Sequence, residues 1–202
     1  MTGGLRLGLV GAAAALLMVG AGALLLDRGP AQAEPMRAGA FNPVHDAPAF
    51  ALEGSDGSEM TLAQYRGKIV LLTFGFTSCA AVCPTTLSTL AQARAGLGEA
   101  GDELQVVFVT VDPERDAPEH MRQYLAAFDA SFIGATGEPK DLAAVRKDYG
   151  VTAVREGTGP NYAMAHTSSI FLIDRAGKLR GVMPFGHRAE DFVHDVTLLL
   201  EG

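Results

Sequence analysis

Two runs, KIVLLTFG at Lys68–Gly75 and LQVVFVTV at Leu104–Val111, constrain this chain more than any other feature. Each is short, β-branched and almost without polar side chains. A strand with one face in water alternates apolar and polar residues, whereas these do not, so each reads as a central strand covered on both faces. Such a sheet needs helices on either side. The segments around the runs supply them. A helix beginning near Cys83 or Pro84 places Leu87, Leu90 and Leu97 inward, and proline is tolerated in a first turn, where its missing N–H is not needed. After the second run, Asp116-Ala-Pro-Glu119 reads as a capping box with aspartate at N-cap and glutamate at N3. The helix it opens carries Met121, Leu125 and Phe128 on one stripe. A third helix is expected over 138–149, with Leu142, Val145 and Tyr149 aligned. SIFLID at Ser169–Asp174 reads as another strand. Leu179–Met183 is its hairpin partner across a Gly-containing turn, and a closing helix covers 188–200.

The first elements are weaker signals. Alternation begins at Ala49–Leu52, a turn covers Gly54–Gly57, and Met60, Leu62 and Tyr65 fit a short turn packed on the core. Strands alternating with helices and ending in a hairpin and a helix predict an α/β domain of thioredoxin-like fold, with a central mixed sheet flanked by helices.

The N-terminus reads differently. Leu7–Leu26 has no charged or strongly polar residue, and at helical rise it spans roughly 30 Å, the thickness of bilayer hydrocarbon. Residues 1–26 are expected to be one transmembrane helix acting as an anchor; Ala31-Gln32-Ala33 also has cleavage-site spacing, so a removed signal segment is the alternative. Arg6 and the α-amino group place the rest of the chain outside the cytoplasm, on the outer face of the membrane or in the periplasm, and a cleaved form would be secreted and soluble. Residues 27–40, rich in Gly, Pro and Ala, read as a flexible linker, and 41–202 as one domain. A formal charge of −7 and scattered lysines argue against a nucleic-acid partner.

Chemistry concentrates in FGFTSCAAVCPTTL, which holds both cysteines of the chain. Cys79 falls in the loop after a central strand and Cys83 at the start of a helix, the end of such sheets where sites form. Residues four apart meet on one side of a helical turn, and a helix start favours a thiolate. The pair is a structural staple, a redox couple or two metal ligands. A thiol oxidoreductase more simply uses two intervening residues, where this chain has three. A third ligand would favour a metal. Two thiolates and an imidazole suit a soft or borderline ion such as copper, and disfavour calcium and magnesium; zinc is not excluded by ligand type, although structural zinc prefers four ligands. Of the five histidines, His166 is the best candidate, because it directly precedes the late strand, in a loop that passes over the site helix in a thioredoxin-like sheet. His45 sits near the domain start, and His120, His187 and His194 read as surface or helix-end residues.

FGFTSCAAVCPTTL, VTVDPERDAPEHMRQYL, the GATGEP segment before a helix ending KDYGV, and HTSSIFLID occur in one order from about Phe50 to Leu199. With them the chain resembles the SCO/SenC family of membrane-anchored, thioredoxin-like copper-binding proteins. The resemblance implies that Cys79, Cys83 and His166 are the ligands of copper, as Cu(I) and Cu(II). It implies a role in maturing the dinuclear copper centre of cytochrome c oxidase, with the copper-bearing subunit or another copper protein as partner. Cys79 and Cys83 would also form a redox disulfide, served by a thiol–disulfide reductant. On this reading the protein is a metallochaperone rather than a turnover enzyme. The alternative is an extracytoplasmic thiol–disulfide oxidoreductase in which Cys79 and Cys83 are catalytic and keep a client's metal-binding cysteines reduced. A peroxiredoxin-like peroxidase and a disulfide-stapled interaction domain are lesser alternatives. The family commonly has Pro-Asp-Val between the cysteines and often aspartate before the histidine; here stand Ala80-Ala81-Val82 and Ala165. Both departures remove negative charge near the site, which weakens outer support for a cation and changes its redox preference. Asp112 and Asp116 match the family's acidic loop and read as ordinary loop and cap residues.

Overall fold

The computed structural model describes residues 34–160 and 162–202. The anchor expected over 1–26 and most of the linker lie outside them. Among the described residues no helix is long and apolar enough to cross a membrane. One compact unit covers Met36–Gly202.

Both dense runs are central strands, β4 (Ile69–Gly75) and β5 (Leu104–Thr110), with every residue buried. They pair in parallel, Ile69 opposite Leu104 through Gly75 opposite Thr110. Around them the sheet adds β1 (Gly39–Asp46), β2 (Ala51–Gly54), β3 (Glu59–Thr61), β6 (Ile133–Thr136), β9 (Ser169–Ile173) and β10 (Lys178–Pro184). Its order is β1-β10-β9-β4-β5-β6-β2-β3, with β6 parallel to β5 and β9 antiparallel to β4, which makes the sheet mixed as expected. The turn between β9 and β10 closes on Gly177, whose φ of 73° is open to glycine at no steric cost. A short 3₁₀ turn at Leu62–Tyr65 follows β3.

Four helices complete the unit: α1 (Val82–Gly96), α2 (Pro118–Ala126), α3 (Pro139–Asp148) and α4 (Ala189–Glu201). Helix α1 buries Cys83, Leu87, Leu90 and Ala93. These positions recur at helical spacing, and each fully buried leucine contributes about 1.5–3 kcal/mol. Helix α1 ends at Gly96, so Leu97 is its half-buried C-cap rather than a core position. Leu142, Val145 and Tyr149 are buried as the stripe predicts.

Three expectations need correction. The domain starts earlier than Phe41. Strand β1 begins at Gly39 and pairs with β10, and the fully buried Asp195 carboxylate accepts the Arg37 and Ala38 amides at 2.8 and 2.7 Å. Asp116 is not an N-cap. Ala117 occupies that position without a side-chain bond, because the Asp116 carboxylate turns inward to hydroxyl and amide donors. His166 is not in a loop. It ends β8 (Ala163–His166), which pairs with β7 (Ala153–Glu156) in a separate two-stranded hairpin. This hairpin, β1 and β6 were not expected from the sequence.

Candidate metal centre

Residues 76–81 form the loop from the C-terminal end of β4 to α1. Asp116 fixes this loop. Its carboxylate accepts the Thr77 amide at 3.2 Å and the Thr77 and Thr110 hydroxyls at 2.6 Å each. Burial drives the Asp116 carboxyl above its ordinary pKa, against the hydrogen bonds from Thr110 and Thr77 that favour the ionised form. His120 Nε2 lies 3.0 Å from the Thr77 hydroxyl on the exposed side. The Cys79 amide then donates to the Phe76 carbonyl at 3.2 Å, which turns the chain toward α1.

The two cysteines are thiols, not bonded to each other, and their settings differ. Cys79 is partly exposed and its sulfur accepts the Cys83 amide at 3.4 Å, at the free N–H groups of the helix start. Burial works against its thiolate, but the amides of Cys83, Ala81 and Val82 together with the Cys83 thiol outweigh it and lower the pKa. Cys83 is 3% exposed, and burial pushes its thiol up to about 12. The Phe76 amide opposes that shift, and the neighbouring Cys79 adds to it.

This asymmetry gives a first prediction. On raising the pH, Cys79 ionises first, below the ordinary thiol value, while Cys83 stays protonated. Alkylation of the reduced native protein at neutral pH should therefore stop at one adduct per chain, on Cys79, as read by peptide mass spectrometry. Equal labelling of both cysteines in the native state would contradict it.

The hairpin brings His166 to the same place. Its Nε2 lies 3.7 Å from Cys83 Sγ, and its ring meets Phe76 edge-on with centroids 5.8 Å apart. Nδ1 is 3.0 Å from the Thr167 carbonyl. A carbonyl only accepts, so Nδ1 carries the proton and the Nε2 lone pair faces the sulfur, the tautomer a metal ligand needs. The three candidate residues are thus neighbours, with Cys83 central. Among the described residues, however, no group of three or more His, Cys, Asp or Glu side chains is placed to hold a metal ion together. A void of about 10 Å³ between Cys83, Thr86, Phe108, His166 and Ser168 admits one water-sized body.

The remaining sequence candidates lie elsewhere. His45 is exposed on β1, while His187 and His194 pair with Asp191 and Asp195 at 3.4 and 2.8 Å. Asp112 is buried against Arg115 and Tyr162. Ala81 and Ala165 are exposed beside the candidate residues. Sequence reasoning missed Phe76, which touches all three candidates through its ring, carbonyl and amide. Its position three residues before Cys79, at the end of a buried strand, was the available signal.

Sheet, helices and site define a thioredoxin-like domain with a dithiol and an imidazole gathered at the end of the central strands. Residues 41–201 match the SCO1/SenC family model, and the chain belongs to that family. It is similar to the SCO2-like protein of Rickettsia felis, 33% identical over 169 residues, covering 80% of this chain and 82% of the relative. Among solved structures it is similar to ScoI of Bradyrhizobium japonicum with copper bound, at 33% identity and a TM-score of 0.70, covering 76% of this chain and 99% of that one. It is also similar to apo Sco1 of Thermus thermophilus, at 34% identity and a TM-score of 0.69, covering 83% and 96%.

Proposed function

We propose that this protein binds copper through Cys79, Cys83 and His166 and delivers it to the dinuclear copper centre of cytochrome c oxidase. The observation that carries the reading is the 3.7 Å approach of His166 Nε2 to Cys83 Sγ, with the Thr167 carbonyl fixing the tautomer. Family membership and a relative solved with copper bound support the choice of ion. The donor set agrees, since thiolates and imidazole suit Cu(I). The protein works in an extracytoplasmic compartment, tethered by residues 1–26 or released from them, and its partner is the copper-bearing subunit.

The partly exposed Cys79, with its depressed pKa, meets the incoming ion first. Cys83 gives up its proton only when a cation offsets the cost of a buried thiolate, so its deprotonation is tied to loading. His166, whose Nε2 faces Cys83 Sγ, would supply the nitrogen donor beside the two thiolates. Stepwise ligand exchange at Cys79 hands copper on. Oxidation to a Cys79–Cys83 disulfide removes both thiolates, so redox state gates loading.

A second reading has one observation in its favour, the contrast between a partly exposed Cys79 of lowered pKa and a buried Cys83 of raised pKa. That is the arrangement of an attacking and a resolving thiol. Cys79 thiolate would open a client disulfide to a mixed disulfide, releasing one client thiolate. Cys83 would then lose its proton, attack Cys79 and release the second client thiol, leaving a Cys79–Cys83 disulfide for a dithiol reductant to restore.

The reduced full-length protein titrated with Cu(I) against a competing chelator is expected to bind one equivalent. In His166→Ala the chelator should take copper at a much lower concentration, while exchange with a small disulfide stays within about twofold, since a resolving pair does not use the imidazole. A stoichiometry far below one, unaffected by replacing Cys83, would overturn the copper reading.

A further inference from the structure

We propose that Tyr162 and Arg115 are positioning residues for His166, acting through a stack that runs Tyr162–Arg115–Phe76–His166. The inference rests on the reading of His166 as a copper ligand. The Arg115 guanidinium carbon lies 3.8 Å from the Tyr162 ring centroid and 5.7 Å from that of Phe76, and the Phe76 ring meets the imidazole at 5.8 Å. Arg155 adds a second guanidinium, 3.6 Å from the Tyr162 centroid. Two such groups cannot share one face, so they flank the ring. A guanidinium over an aromatic face is drawn to the ring's negative quadrupole, more strongly the further it is desolvated.

The stack is bolted to the loop between β5 and α2. Asp112 accepts from Arg115 Nε and from the Tyr162 hydroxyl, Arg115 Nη1 donates to the Tyr162 carbonyl at 3.0 Å, and Glu114 takes Arg155 Nη1 at 3.0 Å. Arg115 Nη2 is buried without an acceptor, a state the adjoining ring faces make tolerable. Tyr162 is itself 7% exposed, although the β7–β8 strands around it are largely exposed.

The hairpin needs such a fixing. Its strands pair only with each other, Ala153 opposite His166 and Glu156 opposite Ala163. Its root is held by the Thr167 amide to the Thr152 carbonyl at 3.0 Å and by the Thr152 amide to the Thr167 hydroxyl at 3.2 Å. Tyr162 pins the other end. The same Arg115 that grips Tyr162 backs the Phe76 ring on which the imidazole rests. One guanidinium therefore couples the hairpin's position to the orientation of His166.

The test uses the full-length reduced protein with Cu(I) as probe. Tyr162→Ala should weaken copper affinity about tenfold, the usual cost of removing support behind a ligand. Tyr162→Phe keeps the stack and should restore most of it. In a His166→Ala background Tyr162→Ala should add less than about twofold, because the two act on one interaction. In the metal-free protein the ¹⁵N ring resonances of His166 should broaden or shift in Tyr162→Ala and return in Tyr162→Phe. If Tyr162→Ala does not fold, Arg155→Ala strips one face of the ring at an exposed position and should give the same changes at smaller size. Unchanged ring resonances, or an equal affinity loss with and without His166, would overturn the proposal. If the parent binds no copper, the copper reading fails while the metal-free resonances still decide the positioning role.

Discussion

Cys83→Ala is expected to lower Cu(I) affinity by about 10²–10³-fold. A four-ligand structural zinc site of thiolates and imidazoles gains about 10–16 kcal/mol, roughly 3–4 per ligand, and the same scale is taken for copper here. Cys83 stands at the centre of the site, 3.7 Å from the imidazole, with its own amide donating to Cys79 Sγ. Losing it leaves two donors without the sulfur that stands beside both. The fold should survive, since only one small buried group is removed, at a cost of about 1 kcal/mol. Cys79→Ala should reduce affinity on the same scale with little effect on melting temperature, because Cys79 is partly exposed. Chelator competition and thermal melts measure both. Retained affinity in Cys83→Ala would remove the central ligand from the account.

Gly75→Ala is expected to strike core and site together. A β-carbon at Gly75 would sit 2.6 and 2.7 Å from Phe108 Cε2 and Cζ and 2.9 Å from Cys83 Sγ, well inside van der Waals contact. The Phe108 ring is 1% exposed and β4 lies between β5 and β9, so neither side has room to yield. Overpacking of this kind costs about 1–3 kcal/mol, or about 2–12 °C in melting temperature for a domain of this size. The displaced sulfur should also weaken copper binding, whereas an ordinary core defect would leave affinity intact. A variant with the parent's melting temperature and affinity would contradict the geometry.

The fold was legible where burial leaves a strong pattern. Strands β4 and β5 lack alternation because both faces are covered, and the helix stripes at Leu87–Leu90 and Leu142–Val145 follow helical spacing. Strand β1 was not legible, because seven of its eight residues are exposed and its sequence shows no apolar alternation. The β7–β8 hairpin was missed for the same reason, and with it the true setting of His166. Asp116 shows a different limit. Asp-x-x-Glu before an apolar stripe is a local signature of a cap, and the donors that outcompete it include Thr77, thirty-nine residues away in sequence. The cysteines and His166 were legible as residue types in a suggestive order. The Thr167 carbonyl that sets the tautomer was not, because a backbone acceptor leaves no trace in side-chain identity. Nor was the Tyr162–Arg115 stack, whose members lie on segments far apart in the chain.

The most direct measurement is X-ray absorption at the copper edge of the reduced full-length protein loaded anaerobically with one equivalent of Cu(I), beside the same sample of His166→Ala. Two sulfur neighbours and one nitrogen, with the nitrogen lost in the variant, is the predicted result. A shell containing sulfur alone in the parent, or a nitrogen that persists without His166, would show that the imidazole beside Cys83 does not hold the ion.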